Sequence, residues 1–300
     1  MTWKKHIREF EIYLKLERSF SSNTSESYLR DIRKFQEYLN ISSSKEQVPE
    51  NISPENISSF LAYLGTLEVA PSTQSRILSG IKAFYRFLHL NNLISADPTF
   101  LISSPKINRK LPDTLAFHEI EKLLSAIDLS KPEGARNRAI LETLYSSGLR
   151  VSELTNLRLS NLYFDIGFLK IIGKGNKERF VPIGRDAIKF ISIYLESIRP
   201  KVKIKKGNED IVFLNRRGAA LTRVMIFTII KQLAETIGLQ KNISPHTLRH
   251  SFATELIQRG ADLRAVQDML GHESITTTEI YTHLDRDYLR SNIIQFHPRS

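Results

Sequence analysis

The sequence predicts a mainly helical protein of two domains, the second of which also contains a small β-sheet. The chain has 300 residues, about twice the length of a typical domain. Apolar residues recur at helical spacing through the first hundred residues. In the second half, two short runs with strand character flank Gly-Lys-Gly-Asn-Lys at 173–177, a turn that favours a β-hairpin.

Residues 1–99 are predicted to form the first domain, a bundle of four or five helices joined by short turns. Ser53-Pro54 is typical of a helix start, because the hydroxyl caps backbone N–H groups and proline needs no hydrogen-bond partner at the first helical position. Pro71 marks another start, and the helix after it carries an apolar stripe. The spacing predicts helices over about 3–18, 24–40, 54–67 and 71–88.

Residues 100–114 are predicted to form an extended basic linker between the domains. Prolines punctuate the segment, which carries Lys106, Arg109 and Lys110 and little apolar periodicity. A positively charged strap of this kind suits the phosphate backbone of a nucleic acid. Its composition is equally typical of a solvated linker.

Residues 115–300 are predicted to form the second, mixed domain. Helices are expected at about 117–127, 135–147, 151–157 and 185–198. Strands are expected at 168–172, 179–183 and 211–214, and the residues that follow are expected to be helical.

The composition excludes several kinds of chemistry. The chain has no cysteine, so it forms no disulfide, thiolate zinc site or iron–sulfur cluster and has no cysteine nucleophile. Its net charge of +11 indicates a polyanionic partner, either a nucleic acid or an anionic membrane surface. No segment is typical of a signal peptide, a membrane span or a lipidation site, which favours the nucleic acid and a cytoplasmic location.

Residues 1–105 carry 12 basic and 11 acidic side chains, and residues 113–300 carry 28 and 21, so the basic excess lies in the linker and the second domain.

The sequence SPHTLRHSFA at 244–253 predicts a helix N-terminus with basic side chains in its first turn. Ser244 and Pro245 would start the helix, so His246 and Arg249 would lie on one face beside free backbone N–H groups. This arrangement suits a phosphate, although a capped helix with an exposed basic turn is the more ordinary explanation. His250 lies four residues after His246, but a metal site would need a third ligand and no intervening arginine, so no metal is expected.

Other candidate residues lie at predicted turns and helix ends. Arg150 follows a glycine at the corner between two helices, and Glu153, three residues later, can hold its guanidinium. Lys174 lies in the glycine-rich turn, which does not match a nucleotide-binding phosphate loop. His272 follows a helix end, and Tyr281 lies in a polar helical segment. Each has an ordinary explanation on its own, as a surface ion pair, a solvated turn or a packing tyrosine.

Together these residues supply the cations and hydrogen-bond donors that suit one phosphodiester, one oxygen nucleophile, and no carboxylate cluster for magnesium. The segments that contain them resemble the tyrosine recombinases, or phage integrase family, and within it the bacterial XerC/XerD group. The matching segments are SGLRVSEL, IIGKGNKERFVPIG, SPHTLRHSFATELIQRGADLRAVQDMLGH and TTTEIYTH. Their order and spacing match along the whole second domain, and the first domain matches the family's core-binding domain in length and position. The terminal FHPRS is closer to the XerD branch.

The resemblance implies a role for each candidate. Tyr281 would attack the scissile phosphorus and form a 3′-phosphotyrosyl bond. Arg150 and Arg249 would hold the nonbridging oxygens with their forked N–H groups. No metal, ATP or other cofactor is expected, because cations on the developing charge replace a metal. The remaining roles are hydrogen bonding by His246 and His272, protonation of the leaving 5′-oxygen by Lys174, and orientation of Arg150 by Glu153.

The resemblance also implies partners. The two domains would clamp duplex DNA, and four copies of the same or a related recombinase would assemble around two duplexes. A C-terminal helix over about Asp287 to Gln295 would dock on a neighbour through Leu289, Ile293 and Ile294. Chromosome-dimer resolution, with activation by the translocase FtsK, is the expected role. Further DNA contacts are expected from Lys106, Arg109, Lys110, Lys177, Arg179, Lys203, Lys205, Lys206, Arg216, Arg217 and Arg223.

Other functions fit parts of the pattern. An integrase of a phage or mobile element would share the chemistry, although such proteins often carry an additional N-terminal domain. A type IB topoisomerase shares the chemistry but matches less closely. A DNA-binding protein without catalysis would not need Tyr281.

Overall fold

The structure is a computed structural model that describes residues 2–18, 20, 22–42, 47–106, 113–173, 177–271 and 283–299, with side chains of the last segment described from 287. The chain forms two compact units, Met1–Lys110 and Leu111–Ser300. The described residues are mainly helical, with one three-stranded sheet, which confirms the predicted fold class.

The first unit is a helical bundle with an aromatic core. Its described helices are α1 (Trp3–Leu16), α2 (Ser22–Ser42), α3 (Pro54–Thr66) and α4 (Pro71–Leu90), with a short 3-10 turn at Pro49–Asn51. The predicted start of α3 is confirmed, since the backbone N–H of Ser53 donates to the Asn56 side chain and Pro54 takes the first helical position. Phe10, Phe35 and Phe84 are fully buried, and their packing holds the helices together.

The second unit places a small antiparallel sheet beside a cluster of helices. Its helices are α5 (Phe117–Ser125), α6 (Pro132–Ser147), α7 (Val151–Thr155), α8 (Arg185–Ile193), α9 (Arg223–Thr236), α10 (Pro245–Gln258), α11 (Leu263–Leu270) and α12 (His283–Phe296). Its strands, β1 (Leu162–Tyr163), β2 (Phe168–Ile172) and β3 (Glu178–Pro182), are adjacent in that order. Leu169 and Val181 are paired across β2 and β3 and face the core.

Helix α6 lies at the centre of this unit and leads to the candidate site. Its last nine residues are all buried, and the hydroxyls of Thr143 and Ser147 donate to backbone carbonyls one turn earlier. Gly148 ends the helix with a φ of +59°, and a side chain there would meet the ring of Phe252 at 2.5 Å. Only glycine fits this corner, which turns the chain toward Arg150.

Two predicted elements differ from the structure. Residues 211–214 form only single β-bridges, to Arg158 and to Ala220, so the predicted third strand is wrong. The apolar run there is explained by the full burial of Val212 and Phe213 rather than by a strand ladder. The predicted helix over 185–198 stops being regular after Ile193 and continues as a π-helical turn.

Helix α12 packs on its own domain. Leu289 and Ile293 are buried against the domain core, whereas Ile294 is exposed. Two of the three apolar residues expected to dock on a neighbour are therefore covered within the chain itself. No helix among the described residues is both long and apolar enough to cross a membrane.

Candidate active site

Arg150 and Glu153 form a closed pair at the start of α7. Arg150 is the N-cap residue, and its backbone N–H donates to Oε2 of Glu153 at 2.8 Å. Its guanidinium Nη1 donates to Oε1 of the same carboxylate at 3.0 Å. The Arg150 side chain is 44% exposed and that of Glu153 only 4%, so the buried carboxylate holds a guanidinium that still faces solvent.

Glu153 has a second partner that the sequence does not reveal. Arg179 on β3 donates from Nη1 to Oε1 at 2.8 Å and from Nη2 to Oε2 at 2.9 Å. Its Nε donates to the carbonyl of Met269 at 3.2 Å, and the residue is 7% exposed. Arg179 is predicted above to contact DNA, but the structure buries it and gives its donors to Glu153 and Met269. Since Nε, Nη1 and Nη2 of Arg179 all donate within the protein and Glu153 neutralises its charge, the structure contradicts the predicted DNA contact.

Arg249 lies in the first helical turns of α10, which begin as predicted. The Ser244 hydroxyl accepts from the N–H of Thr247, and Pro245 takes the first helical position. Arg249 is 7% exposed and donates from Nη1 to the Gly148 carbonyl at 2.7 Å and from Nη2 to the Leu270 carbonyl at 2.6 Å. Burial, together with the charge of Arg150, lowers the pKa of Arg249 to about 10, so the guanidinium stays charged at neutral pH.

The three arginines converge on the C-terminal end of α11. The carbonyls of Met269, Leu270 and Gly271 accept from Arg179, Arg249 and Arg150, respectively. These are the groups that a helix end leaves without backbone partners, and they carry the negative end of its dipole.

Gly271 makes this approach possible. It has a φ of +63°, and a side chain at this position would lie 3.0 Å from the Arg179 guanidinium. The arginines therefore fix the chain immediately before His272.

The electrostatics of the cluster favour an anionic ligand. Burial alone would raise the pKa of Glu153, but hydrogen bonds and charge from Arg179 and then Arg150 outweigh it and hold the pKa below its usual range. One carboxylate therefore faces three guanidiniums, which leaves an excess of positive charge at a point where Arg150 reaches solvent.

The structure describes only some of the remaining predicted site residues. His246 is exposed in the first turn of α10, three residues before Arg249. Within the residues described, no group of three or more His, Asp or Glu side chains could hold a metal ion. Lys174, His272 and Tyr281, and the linker residues Arg109 and Lys110, lie outside the described residues.

Two of the predicted basic groups lie on adjacent loops. The backbone N–H of Lys205 donates to the Gly218 carbonyl at 2.9 Å, which joins loop 203–206 to loop 215–219. Arg216 is exposed and pairs with Glu133. The exposed basic side chains of the predicted DNA-contact set are Lys106, Lys177, Lys203, Lys205, Lys206, Arg216, Arg217 and Arg223.

Known proteins match this chain over almost its whole length. Residues 113–287 match the phage integrase family, and residues 7–92 match the phage integrase N-terminal SAM-like domain. The chain is 41% identical to tyrosine recombinase XerD of Listeria monocytogenes serovar 1/2a and 42% identical to that of Staphylococcus saprophyticus, in each case over 98% of this chain and 99% of the relative.

A solved structure of a recombinase on DNA shares the fold. It is the XerH site-specific recombinase bound to a palindromic difH substrate in a post-cleavage complex. That chain is 27% identical with a TM-score of 0.70, over 95% of this chain and 83% of the XerH chain. Since the family models match both halves of the chain and the XerD relatives are 41–42% identical along 98% of it, the chain belongs to the phage integrase family and is a site-specific tyrosine recombinase, an enzyme that breaks and rejoins DNA.

Proposed function

We propose that this chain cuts and rejoins duplex DNA through a covalent bond to Tyr281, and that it resolves chromosome dimers at cell division. The observation that carries the proposal is the arginine cluster at the end of α11. It combines a surplus of buried positive charge with one guanidinium that reaches solvent, directly before the motif that contains Tyr281. Such a cluster is suited to an anion that gains charge during the reaction.

In the proposed reaction, the Tyr281 hydroxyl loses its proton to His246 and its oxygen attacks the scissile phosphorus. The bond from phosphorus to the 5′-oxygen breaks as the bond to tyrosine forms, and Lys174 protonates the departing oxygen. Arg150 and Arg249 bind the nonbridging oxygens, and His272 adds a hydrogen bond. The phosphotyrosyl bond keeps the energy of the broken bond, so the reverse attack by a 5′-hydroxyl rejoins the strand without ATP.

The nucleophile is tested with a nicked duplex that traps the covalent intermediate. We expect a protein–DNA adduct in the wild type and none with Tyr281→Phe, which removes only the attacking oxygen. DNA binding of the variant, measured by mobility shift, should be unchanged. We expect the adduct also to form in EDTA. An adduct with Tyr281→Phe would refute the assignment, and a requirement for added magnesium would refute the proposed charge stabilisation by side chains.

The biological role is supported by the relatives named XerD, which match almost the full length of the chain. We propose that four protomers, all of this chain or shared with a related recombinase, act on two duplexes in the cytoplasm. Contact with the translocase FtsK would activate them. Mapping covalent adducts on the genome of the source organism tests this role and identifies the DNA site. A single chromosomal site supports dimer resolution, whereas adducts at the ends of mobile elements indicate an integrase.

A further inference from the structure

Glu153 holds Arg150 through local contacts. It lies on α7, a helix of only five residues, and its carboxylate accepts the backbone N–H and one guanidinium N–H of Arg150. Both contacts come from the same residue, three positions earlier in the chain. They are therefore local contacts, and the position of the carboxylate depends on what else holds Glu153.

Arg179 joins this local pair to the sheet. It binds both Glu153 oxygens with two nearly parallel hydrogen bonds, the geometry that fixes the plane of a carboxylate. Arg179 itself lies on β3, opposite Ile171 on β2, so its backbone is held by the sheet. The sheet thereby sets the position of Glu153.

The same guanidinium also reaches the end of α11. Its Nε donates to Met269, and its carbon skeleton packs under Gly271, whose carbonyl accepts from Arg150. One buried side chain thus connects the sheet, the carboxylate that holds Arg150, and the helix end that precedes His272.

Arg179 also sets the charge of Glu153. The charged groups that face this carboxylate are Arg150 from the start of α7, Arg179 from β3 and Arg249 from α10, while Arg158 and Lys170 line the cavity next to it. Arg179 is the largest of the contributions that lower the pKa of Glu153 against the effect of burial. Without Arg179, the carboxylate would take up a proton at a higher pH and could no longer accept both hydrogen bonds from Arg150.

We infer that Arg179 is a positioning residue for DNA cleavage: it holds the Glu153 carboxylate and the end of α11, and through them the Arg150 guanidinium, in place for the scissile phosphate. The inference rests on the proposed function of Arg150. It assigns Arg179 to the cleavage step and not to DNA binding.

The test compares Arg179→Met with the wild type on the nicked duplex that carries the mapped site. We expect a rate of adduct formation about 10- to 100-fold lower at neutral pH, in line with the loss of one well-placed electrostatic group. DNA affinity should stay within about twofold, because the Arg179 guanidinium is paired with Glu153 and Met269 rather than offered to a phosphate. Arg185→Met, an exposed arginine just beyond β3, is the matched control and should cleave normally.

The pH profile separates positioning from a general loss of structure. Cleavage should fall as pH drops through the Glu153 pKa, and in Arg179→Met this fall should begin at a higher pH. Glu153→Gln should lack this acidic limb. In the Glu153→Gln background, Arg179→Met should slow cleavage by a smaller factor than in the wild type, because only the contact with Met269 is then lost. Arg179→Lys keeps the charge without the fork, so it should cleave slowly with an acidic limb close to that of the wild type.

Several outcomes would overturn the inference. All three concern Arg179→Met: normal cleavage, a loss of cleavage matched by weaker DNA binding, or slow cleavage with the pH profile of the wild type. If Arg179→Met does not fold, Arg179→Lys provides the test. Normal cleavage by Arg179→Lys would show that the paired guanidinium hydrogen bonds to Glu153 are not needed. The Tyr281→Phe variant distinguishes failure of the proposed function from failure of the inference about Arg179. If that variant loses the adduct while Arg179→Met cleaves normally, the proposed function stands and only this inference fails.

Discussion

Two buried glutamates, Glu142 on α6 and Glu153 on α7, each bind two arginines, yet their surroundings serve different ends. Glu142 is fully buried and accepts from Arg138, one helical turn earlier, and from Arg299 near the end of the chain. Glu153 accepts from Arg150 and Arg179. Both side chains are paired, so pairing alone does not mark the functional one.

The balance of charge separates the two clusters. Arg299 is shared among Glu142, Glu121 and Asp186, so acidic groups outnumber arginines around Glu142. Around Glu153 the arginines outnumber the single carboxylate, and Arg150 faces solvent. A cluster whose arginine charge is neutralised by carboxylates of the same protein is suited to stabilising the fold. A cluster with surplus positive charge that reaches solvent is suited to binding an anionic substrate.

The pKa shifts of the two carboxylates have opposite signs, because burial and arginine contacts compete at both and a different one prevails at each. Burial raises the pKa of Glu142 above its usual range despite the attraction of Arg299 and Arg138. Burial acts in the same direction on Glu153, but the hydrogen bonds and charge of Arg179, with the added backbone N–H of Arg150, reverse the shift. Glu153 is therefore the carboxylate kept firmly ionised.

The largest expected effect is on cleavage by Arg150→Met. Arg150 is the solvent-facing cation of the Glu153 cluster, so its loss should slow adduct formation by about 10²- to 10³-fold. Glu153 keeps both hydrogen bonds from Arg179 in this variant, so the free energy of unfolding in urea should change little. Near-normal cleavage would mean that the surplus charge around Glu153 does not act on the phosphate, and the contrast between the clusters would fail.

Part of this contrast was readable from the sequence. Arg150 and Glu153 lie three residues apart at a predicted helix start, and local pairs of this kind follow from helical geometry. The bond from Arg179 to Glu153 joins residues 26 positions apart, and residues 269–271 contribute through backbone carbonyls, which carry no side-chain signal. The Arg179–Glu153 pair and the contacts to these carbonyls could therefore not be predicted from the sequence.

The fold was predictable to a similar degree. Proline and hydroxyl caps marked the starts of α3 and α10, because the signal lies in adjacent residues. The apolar run at 211–214 predicts a strand that the structure does not form, because a buried apolar run has the same sequence pattern whether or not it pairs with another strand.

The second expected effect is on stability at acidic pH, and it concerns residues 297–299, which the bonds from Arg299 to Glu142 hold to the domain. His297 is buried against the rings of Tyr145 and Phe252. Burial lowers its pKa to about 4, against about 6.5 in an unfolded chain. The unfolded state therefore binds more protons between these values, so stability is lost as pH falls from about 6.5 to about 4. The shift corresponds to about 3 kcal/mol of unfolding free energy over that range.

This loss is measured by urea unfolding at several pH values, with His297→Leu as the comparison. The variant removes the titrating group and should show a flatter dependence on pH. The raised pKa of Glu142 acts in the opposite direction, so the difference between the two proteins isolates the histidine. Equal slopes for both proteins would show that His297 is not held neutral in the folded tail.

The smallest expected effect is on stability in Arg299→Ala. Removing Arg299 leaves the buried Glu142 with Arg138 alone, which should cost about 2 kcal/mol of unfolding free energy. Adding Glu142→Gln to this variant should recover part of the loss, because no charge then remains without its partner. Trp3, the single tryptophan, is buried in the first unit, and its fluorescence provides a control away from the change. Cleavage by the folded Arg299→Ala protein should match the wild type, since the Glu142 cluster holds structure and not substrate. A cleavage defect as large as that of Arg150→Met would show that the two clusters act as one.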